Sequence, residues 1–512
     1  MMAPRSLSEA FDASVLSHCD KVAVRFKGRE LTYRDLGARV KKLAGGLAAL
    51  GVRSGDRVVM ISANQPACME CLLACLRVGA VYEPCNVRLA PSVTKRVIER
   101  SGASVAVVSG ELYPAMRELF EEVAHPVRVV VTGASPDEAH DGAIDYERLV
   151  EGSSPCDSSV RVASSDVVLL LHTSGTTGLP RGVLHTHEAL ARRVAADQRT
   201  MAFEEGCVTL CVLPLFHVTF VSALITLLVG GELVMASSRK ATDLLAAIKD
   251  FGVTHLCVVP FLLRLIVAQV QRERACIDTL RFVIYGGEPV DEGLLACCQE
   301  LFSCKFMQGY GMTETLGAVT MLLPEHHRHA ENLLTAGMPL PGVEVRIIDD
   351  GGEELPQGVA GEVTVKTDTL MKGYACDEER TRQVVRDGWY LTGDIGMLDD
   401  RGFLVLIDRK SNMVITGGEN VYPLEVERCI RMLDDVADVA VAGVPDAYWG
   451  ESIVACVVRV DGSSLTERDV VAHCAHCLGG YKKPRKVIFA QRIERGASGK
   501  VSKAFLDELI GR

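Results

Sequence analysis

No stretch of this 512-residue chain is long and apolar enough to span a bilayer. Its most apolar segment, Val218 to Val229, is too short and is closed by Gly230-Gly231, so a core helix is expected there and no stable membrane insertion. The opening Met1-Met-Ala-Pro-Arg-Ser lacks the charged-then-apolar layout of a signal peptide, and the 18 cysteines are therefore read as thiols of a reducing, cytoplasmic compartment. An excess of positive charge is also missing. With a formal net charge of -11, the chain is not expected to bind nucleic acid or an anionic membrane surface. No internal repeat or low-complexity tract is present, which excludes a solenoid. Cys68, Cys71 and Cys75 fall on one helix face, as small core side chains do. His473-Cys474-Ala475-His476-Cys477 lacks a second ligand pair at zinc-site spacing, so no structural metal is expected.

What is present is an alternation of strands and helices over a length that implies roughly three or four domain-sized units. Helices are predicted at Ser6 to Ser17, Tyr33 to Leu50, Ala67 to Val78, Glu188 to Arg199 and Thr219 to Leu228. Further helices are expected at 242–251, 261–270 and 291–302, with strands near 57–61, 80–82, 104–108, 167–171, 207–213, 232–235, 253–259 and 282–285. Beyond Gly337, short strands punctuated by Gly and Asp suggest a β-rich subdomain, and a compact α+β unit follows. The expected fold is α/β: a large body of doubly wound, mixed or parallel sheets plus the β-rich subdomain over residues 1–408, a hinge at 409–412 and a small mobile domain over 413–512. In such sheets ligands sit beyond the carboxyl ends of strands, and the sequence motifs fall there.

The first motif is His172-Thr-Ser-Gly-Thr-Thr-Gly-Leu-Pro-Arg-Gly-Val183, which follows the apolar run Val167 to Leu171. Gly175 and Gly178 let backbone N–H groups approach an anion, Thr173, Ser174, Thr176 and Thr177 offer hydroxyls, and Arg181 offers a fixed positive charge. The spacing of a Walker A loop is absent. The twelve residues resemble the phosphate-binding loop of the AMP-forming acyl-CoA synthetase superfamily, which also includes luciferases and the adenylation domains of nonribosomal peptide synthetases. Family members usually carry Lys where this chain has Arg181, so pyrophosphate would meet a planar fork instead of a point charge.

Gln308-Gly-Tyr-Gly-Met-Thr-Glu-Thr315 places an aromatic ring, a hydroxyl and a carboxylate together. As a bare pattern it could be a structural turn; it matches the family's adenylate-binding motif. The resemblance implies that Gly309, Tyr310 and Gly311 line the nucleotide, that Thr313 donates to phosphate and that Glu314 is the Mg²⁺ ligand. It places Gly287, Glu288 and Pro289 at the nucleotide too, Asp394 on the ribose hydroxyls and Arg409 on ribose or phosphate. Ser411 stands where the family usually has Asp or Lys. Lys500, in Arg495-Gly-Ala-Ser-Gly-Lys500, aligns with the lysine that bridges the substrate carboxylate and the α-phosphate of ATP.

Arg88, Trp449, Tyr481, Lys483 and Arg485 resemble positions that hold the coenzyme A nucleotide, and Gly418 aligns with the loop lining the pantetheine tunnel. The implied reaction forms acyl-AMP from a small-molecule carboxylic acid and ATP, then an acyl-CoA. Phe216 is followed by His217 instead of the Asp of amino-acid-activating relatives, and Gly309 replaces the Arg of malonate-activating ones. His217 is expected at the mouth of an apolar pocket near Val218, Phe220, Val221 and Tyr285, suited to a fatty or aromatic monocarboxylic acid. Two alternatives stay open: an acyl-AMP ligase loading a carrier protein, and a non-catalytic nucleotide-binding paralogue. The chain ends at Arg512 without an attached carrier domain, and a homodimer is compatible with the sequence.

Overall fold

The computed structural model describes residues 6–133, 142–173, 180–288, 290, 292–416, 419–446, 449–478 and 482–494. The chain divides into two compact units, the first comprising Met1–Ala330, Leu340–Val343 and Thr367–Gly388, the second the remainder. The β-rich stretches 344–366 and 389–408 thus belong with the C-terminal residues, whereas the sequence reading groups them with the large body.

The first unit holds two twisted sheets. One runs, strand by strand, Gly317–Leu322, Lys305–Met312, Phe282–Gly286, His255–Val258, Val208–Cys211, Glu232–Met235, Val22–Phe26 and Arg29–Thr32. Neighbours in this run are parallel except at its two ends. The other runs Gly373–Tyr374, Arg181–Thr186, Val167–Thr173, Val81–Pro84, Arg57–Ile61, Val105–Ser109, Arg128–Thr132 and Ile144–Asp145, parallel from Val167–Thr173 onward. Long apolar strands of this kind require cover on both faces, which the crossover helices supply.

Local sequence explains the helix boundaries. Ser6 and Thr32 begin Leu7–Ser17 and Tyr33–Ala49 as capping boxes with Glu9 and Asp35, satisfying N–H groups that the first turn leaves open. Pro66 starts the helix Pro66–Val78 and Gly79, at φ +73°, ends it. Cys68, Cys71 and Cys75 are buried on that helix, where desolvation pushes the Cys68 thiol up to about 12. None of the eighteen cysteines, all among the described residues, forms a disulfide. No helix among the described residues is long and apolar enough to cross a membrane.

In the second unit, Val343–Ile348, Gly361–Thr367, Trp389–Leu398 and Leu404–Arg409 form one sheet. A second sheet runs Glu419–Val421, Val414–Thr416, Gly450–Arg459 and Val436–Asp446, with Lys486–Ala490 parallel to Gly450–Arg459. Helices Pro423–Arg431 and Glu467–Leu478 bury Val426, Ile430, Val470 and Cys474 against this sheet.

Candidate active site

The phosphate-loop motif is carried by a β-hairpin. Thr173 and Arg181 are the last cross-strand pair, with Leu171 opposite Val183 and Leu170 opposite Leu184 beneath them. The helix expected at Glu188 to Arg199 is present as His187–Thr200, but before it the chain returns as the strand Arg181–Thr186, which the sequence reading does not include, its Gly182, Val183 and His185 buried. Beside the loop, His172 Nε2 lies 2.9 Å from Glu83 Oε1, and Glu83 is fully buried on the neighbouring strand.

The strand leaving the loop also locates the acidic motif. Gly373–Tyr374 pairs antiparallel with Val183 and Leu184, and the Tyr374 hydroxyl donates to Glu314 Oε1 at 2.8 Å. Three successive carbonyls in the Thr313–Thr315 turn are held from outside it. His185 Nε2 donates to Thr313 O at 2.8 Å, Met371 N to Glu314 O at 2.7 Å, and Thr369 Oγ1 to Thr315 O at 2.9 Å. Burial pushes the His185 imidazole down to about 4, so it is neutral at pH 7 and carries its proton on the nitrogen that faces Thr313.

The glycines around Tyr310 answer to close backbone approach. A Cβ on Gly311 would stand 2.0 Å from Gly317 O, and one on Gly286 2.3 Å from Gly309 O. Gly287 has φ +85°, and the Glu288 carboxylate that follows accepts from Phe261 N at 2.7 Å, capping the helix Pro260–Glu273. Gly309 pairs in register with Gly286 on one side and Met321 on the other. Tyr285 is buried, its hydroxyl 2.9 Å from His327 Nε2, so its polar end is engaged inside the core.

Each sheet of the first unit reverses its strand order once, at Arg57–Ile61 and at Val208–Cys211, and ligand crevices form at such reversals. Asn64, just past the first, bonds to both sides of the turn past the second: its Nδ2 donates to Leu213 O at 2.8 Å and its Oδ1 accepts from Leu215 N at 2.9 Å. His217 follows in that turn, its N–H bonded to Pro214 O at 3.2 Å. Its imidazole is pushed down to about 4, first by burial and then by Arg88 and Arg239. Arg239, past the adjacent parallel strand, is held below the ordinary arginine value by burial and by Arg88. Two cations therefore face one neutral histidine. A cleft bounded by Thr209, Cys211, Thr219, Ser222 and Cys257 adjoins the turn, with Phe220 and Val221 buried in the helix beside it. Leu210, Val212, Leu213 and Ala223 complete its lining, so hydroxyls and apolar side chains share the wall.

In the second unit Asp394 is buried and stands opposite Arg409, whose Nε lies 3.0 Å from Asp394 Oδ1. Glu362 connects this region to the proposed hinge, one oxygen accepting from Gly393 N at 3.2 Å and the other from Lys410 Nζ at 3.1 Å. Asp408 accepts from Arg409 N, Asn412 Nδ2 and, at 2.7 Å, Leu424 N. Of the residues expected at coenzyme A, Trp449 and Arg485 are together: the guanidinium sits 3.8 Å from the indole centroid. Lys483 lies in the same stretch as Arg485, and the adjoining Lys482 pairs with Glu425 at 2.6 Å. Ser174, Gly175, Thr176, Thr177, Gly178, Pro289, Gly418, Tyr481 and Lys500 lie outside the described residues.

The paired strands flanking the phosphate-loop motif, an oriented carboxylate in a Gly-Tyr-Gly-Met-Thr-Glu strand end and an Asp–Arg pair before the last domain are the features expected of an adenylate-forming enzyme. The family model described as AMP-binding enzyme matches residues 11–375, and the model described as AMP-binding enzyme C-terminal domain matches 425–500. Feruloyl-CoA synthase of Amycolatopsis sp is 36% identical over 500 residues, 96% of each chain. Fatty acid–[acyl-carrier-protein] ligase ScoC of Streptomyces coeruleorubidus is 33% identical, over 94% of this chain and 91% of its own. Among solved structures, the amide bond synthetase McbA from Marinactinospora thermotolerans matches with a TM-score of 0.88 at 29% identity, covering 98% of this chain and 99% of that one. The chain belongs to the AMP-binding enzyme family and is an AMP-forming acid–thiol ligase.

Sequence reasoning missed Tyr374, His185, Glu83, Asn64, Glu362 and Arg239. Only Arg239 had a local signal, as the first residue of an Arg239-Lys240 pair just after a strand.

Proposed function

We propose that this protein joins a fatty or aromatic monocarboxylic acid to coenzyme A through an acyl-AMP intermediate. The observation that carries the reading is the registration of two motifs on one ladder: the strand leaving the phosphate loop pairs with the strand whose Tyr374 orients Glu314. Phosphates cradled by the loop and a divalent cation on Glu314 would then be held in fixed relation, which adenylation needs more than a protein nucleophile. Mg²⁺ takes oxygen ligands and keeps several waters, so one oriented carboxylate is a sufficient protein share of its shell, and the ion neutralises phosphate charge when bound.

In this reading Thr173, Ser174, Thr176, Thr177 and Arg181, with the amides of Gly175 and Gly178, hold the β- and γ-phosphates. Thr313 donates to the α-phosphate. Tyr310 stacks on adenine, and Gly287, Glu288, Pro289, Gly309 and Gly311 line the nucleotide. Asp394 accepts the ribose hydroxyls while Arg409 keeps it oriented. Lys500 approaches the reacting carboxylate and α-phosphate, and its charge neutralises the oxyanions as the acyl–phosphate bond forms and pyrophosphate leaves. Neutral His217 stands by the acid. Residues 409–412 then turn the C-terminal domain 413–512, bringing Gly418 to the pantetheine path. Arg88, Lys483 and Arg485 take the coenzyme A phosphates, with Trp449 and Tyr481 beside its base.

Supplying purified protein with acid, ATP and Mg²⁺, with and without coenzyme A, tests this. Stoichiometric AMP and acyl-CoA are expected; ADP as the product would sink the adenylation reading. The similarity to ScoC supports a second reading, in which acyl-AMP forms but only a carrier protein's thiol is acylated.

A further inference from the structure

The histidine–cysteine run near the C-terminus has a partner that sequence spacing hides. His473, Cys474 and Cys477 lie on one face of the helix Glu467–Leu478, since positions one, three and four residues apart share a face within about 100°. That helix packs against Pro423–Arg431, which contributes Cys429 from its last turn. One ligand atom each from Cys429, His473 and Cys477 lies within 4.8 Å of the others. Cys477 Sγ is 3.8 Å from His473 Nε2, close to the roughly 3.5 Å that separates nitrogen and sulfur on a tetrahedral zinc ion with ordinary bond lengths. Cys474 is buried with Cys429 in the core of this domain. Cys429 and Cys474 are buried, His473 is partly covered and Cys477 is exposed, so the group has a protein side and an open side.

We propose that Cys429, His473 and Cys477 form a binding site for one soft divalent cation of the zinc class, with the fourth position left to water on the exposed Cys477 side. Two helices supply the ligands. Binding must expel the protons of the Cys429 and Cys477 thiols to solvent as metal–sulfur bonds form. His473 Nε2, now 3.0 Å from Cys429 O, gives up that hydrogen bond for a metal–nitrogen bond. The carbonyl keeps the N–H of Met432, 3.2 Å away, so it is not stranded. His476 is exposed on the same helix and is not one of the clustered groups, which makes it an internal control. A bound ion would tie together two helices otherwise joined by side-chain packing and the His473–Cys429 hydrogen bond. It would also fix the end of Glu467–Leu478, the helix that leads toward Lys482, Lys483 and Arg485.

The test uses the full-length protein, stripped of metal and kept reduced, titrated with Co²⁺ and then with Zn²⁺ against a chromogenic chelator. One equivalent per chain is expected, with the visible thiolate-to-cobalt absorption of a tetrahedral site and a raised melting temperature. Cys477→Ser changes an exposed side chain and should fold; it and His473→Ala should each weaken Zn²⁺ binding at least about tenfold, while His476→Ala and Cys276→Ser should not. The proposal is overturned if wild-type protein shows no thiolate-to-cobalt band, or if the band survives undiminished in both ligand variants. It also fails if mass spectrometry finds a Cys429–Cys477 disulfide that persists in reductant, since the group would then be a redox pair.

Discussion

Glu314 in the first unit and Asp394 in the second are both carboxylates expected at the nucleotide, and they are supported in different ways. The turn around Glu314 has three successive carbonyls fixed by His185, Met371 and Thr369, and its carboxylate is aimed by Tyr374. Those partners come from a strand and a segment distant in sequence, and His185 and Thr369 are buried. Asp394, although buried, takes its visible ion pair from Arg409, whose side chain is half exposed, and its loop is joined to the hinge turn through Glu362 and the exposed Lys410. The first arrangement resists movement because shifting one residue breaks several buried hydrogen bonds at once. In the second, the half-exposed Arg409 and Lys410 can exchange their partners with water at little cost. A two-step ligase needs both: a fixed floor for phosphate and cation, and a region that releases one chemistry to begin the next.

The largest break in this comparison should come from Lys500→Ala. If the second unit's contribution is a cation presented to the α-phosphate, acyl-AMP formation falls about 10²-fold or more while coenzyme A still attacks synthetic acyl-AMP. Gly418→Leu should do the reverse. Loss of both half-reactions in both variants would remove the idea that the C-terminal domain alternates between two tasks.

Acid should loosen the fixed floor. The His185 imidazole has a folded value of about 4 against an ordinary 6.5. Between those limits the unfolded chain binds a proton that the folded chain refuses, so this stability is full above pH 6.5 and is lost as pH falls toward 4. The slope is about 1.4 kcal/mol per pH unit, or roughly 2 kcal/mol by pH 5. Denaturant midpoints measured from pH 7 to 5 should show this fall together with those of His217 and His255, which burial also pushes down to about 4, and His185→Gln, which can donate but does not titrate, should make the slope shallower by about 1.4 kcal/mol per pH unit. An unchanged slope in that variant would place the acid sensitivity elsewhere.

Tyr374→Phe removes one hydroxyl and leaves the Gly373–Tyr374 strand pairing in place. Losing a hydrogen bond to a charged acceptor should lower the adenylation rate about tenfold and raise the Mg²⁺ concentration needed for half-maximal rate. A lowered rate with an unchanged Mg²⁺ requirement would separate Glu314 from the cation.

Why the sequence reveals one half of the site and hides the other follows from the same contrast. Thr313-Glu314-Thr315 and the phosphate loop are contiguous, sit at strand ends and carry chemistry in their residue types, so spacing and resemblance single them out as candidates. The residues that aim them are set by register between strands far apart in sequence: Tyr374 reaches a glutamate 60 residues away, and Asn64 reaches a turn about 150 residues on. The strand Arg181–Thr186 was hidden because six residues containing a glycine and a histidine do not read as a buried strand until both neighbours are known. Cys429 is the same case, since its nearest thiol and imidazole partners are supplied by a helix more than forty residues later.

The smallest effect should come from Lys410, and its smallness is what the comparison requires. Its ammonium meets Asp350 Oδ1 at 2.9 Å and Glu362 Oε2 at 3.1 Å, with the lysine about half exposed and Asp350 almost entirely so. Those carboxylates raise the lysine's affinity for its proton, but solvent screens the pair, so Lys410→Ala should cost less than about 1 kcal/mol of stability. Glu362 would keep its bond from Gly393 N, leaving the loop before Asp394 in place. What changes is the tether between that loop and the turn Lys410–Asn412, so the balance of the two half-reactions should shift by no more than about fivefold, the rate equivalent of 1 kcal/mol. Because the contact is electrostatic and exposed, high salt should bring wild-type protein toward the variant's behaviour. Half-reaction rates for both proteins, at low and high salt, decide the point. A shift far beyond fivefold, or a fall in melting temperature matching that of a buried substitution, would mean that the second unit is held as rigidly as the first.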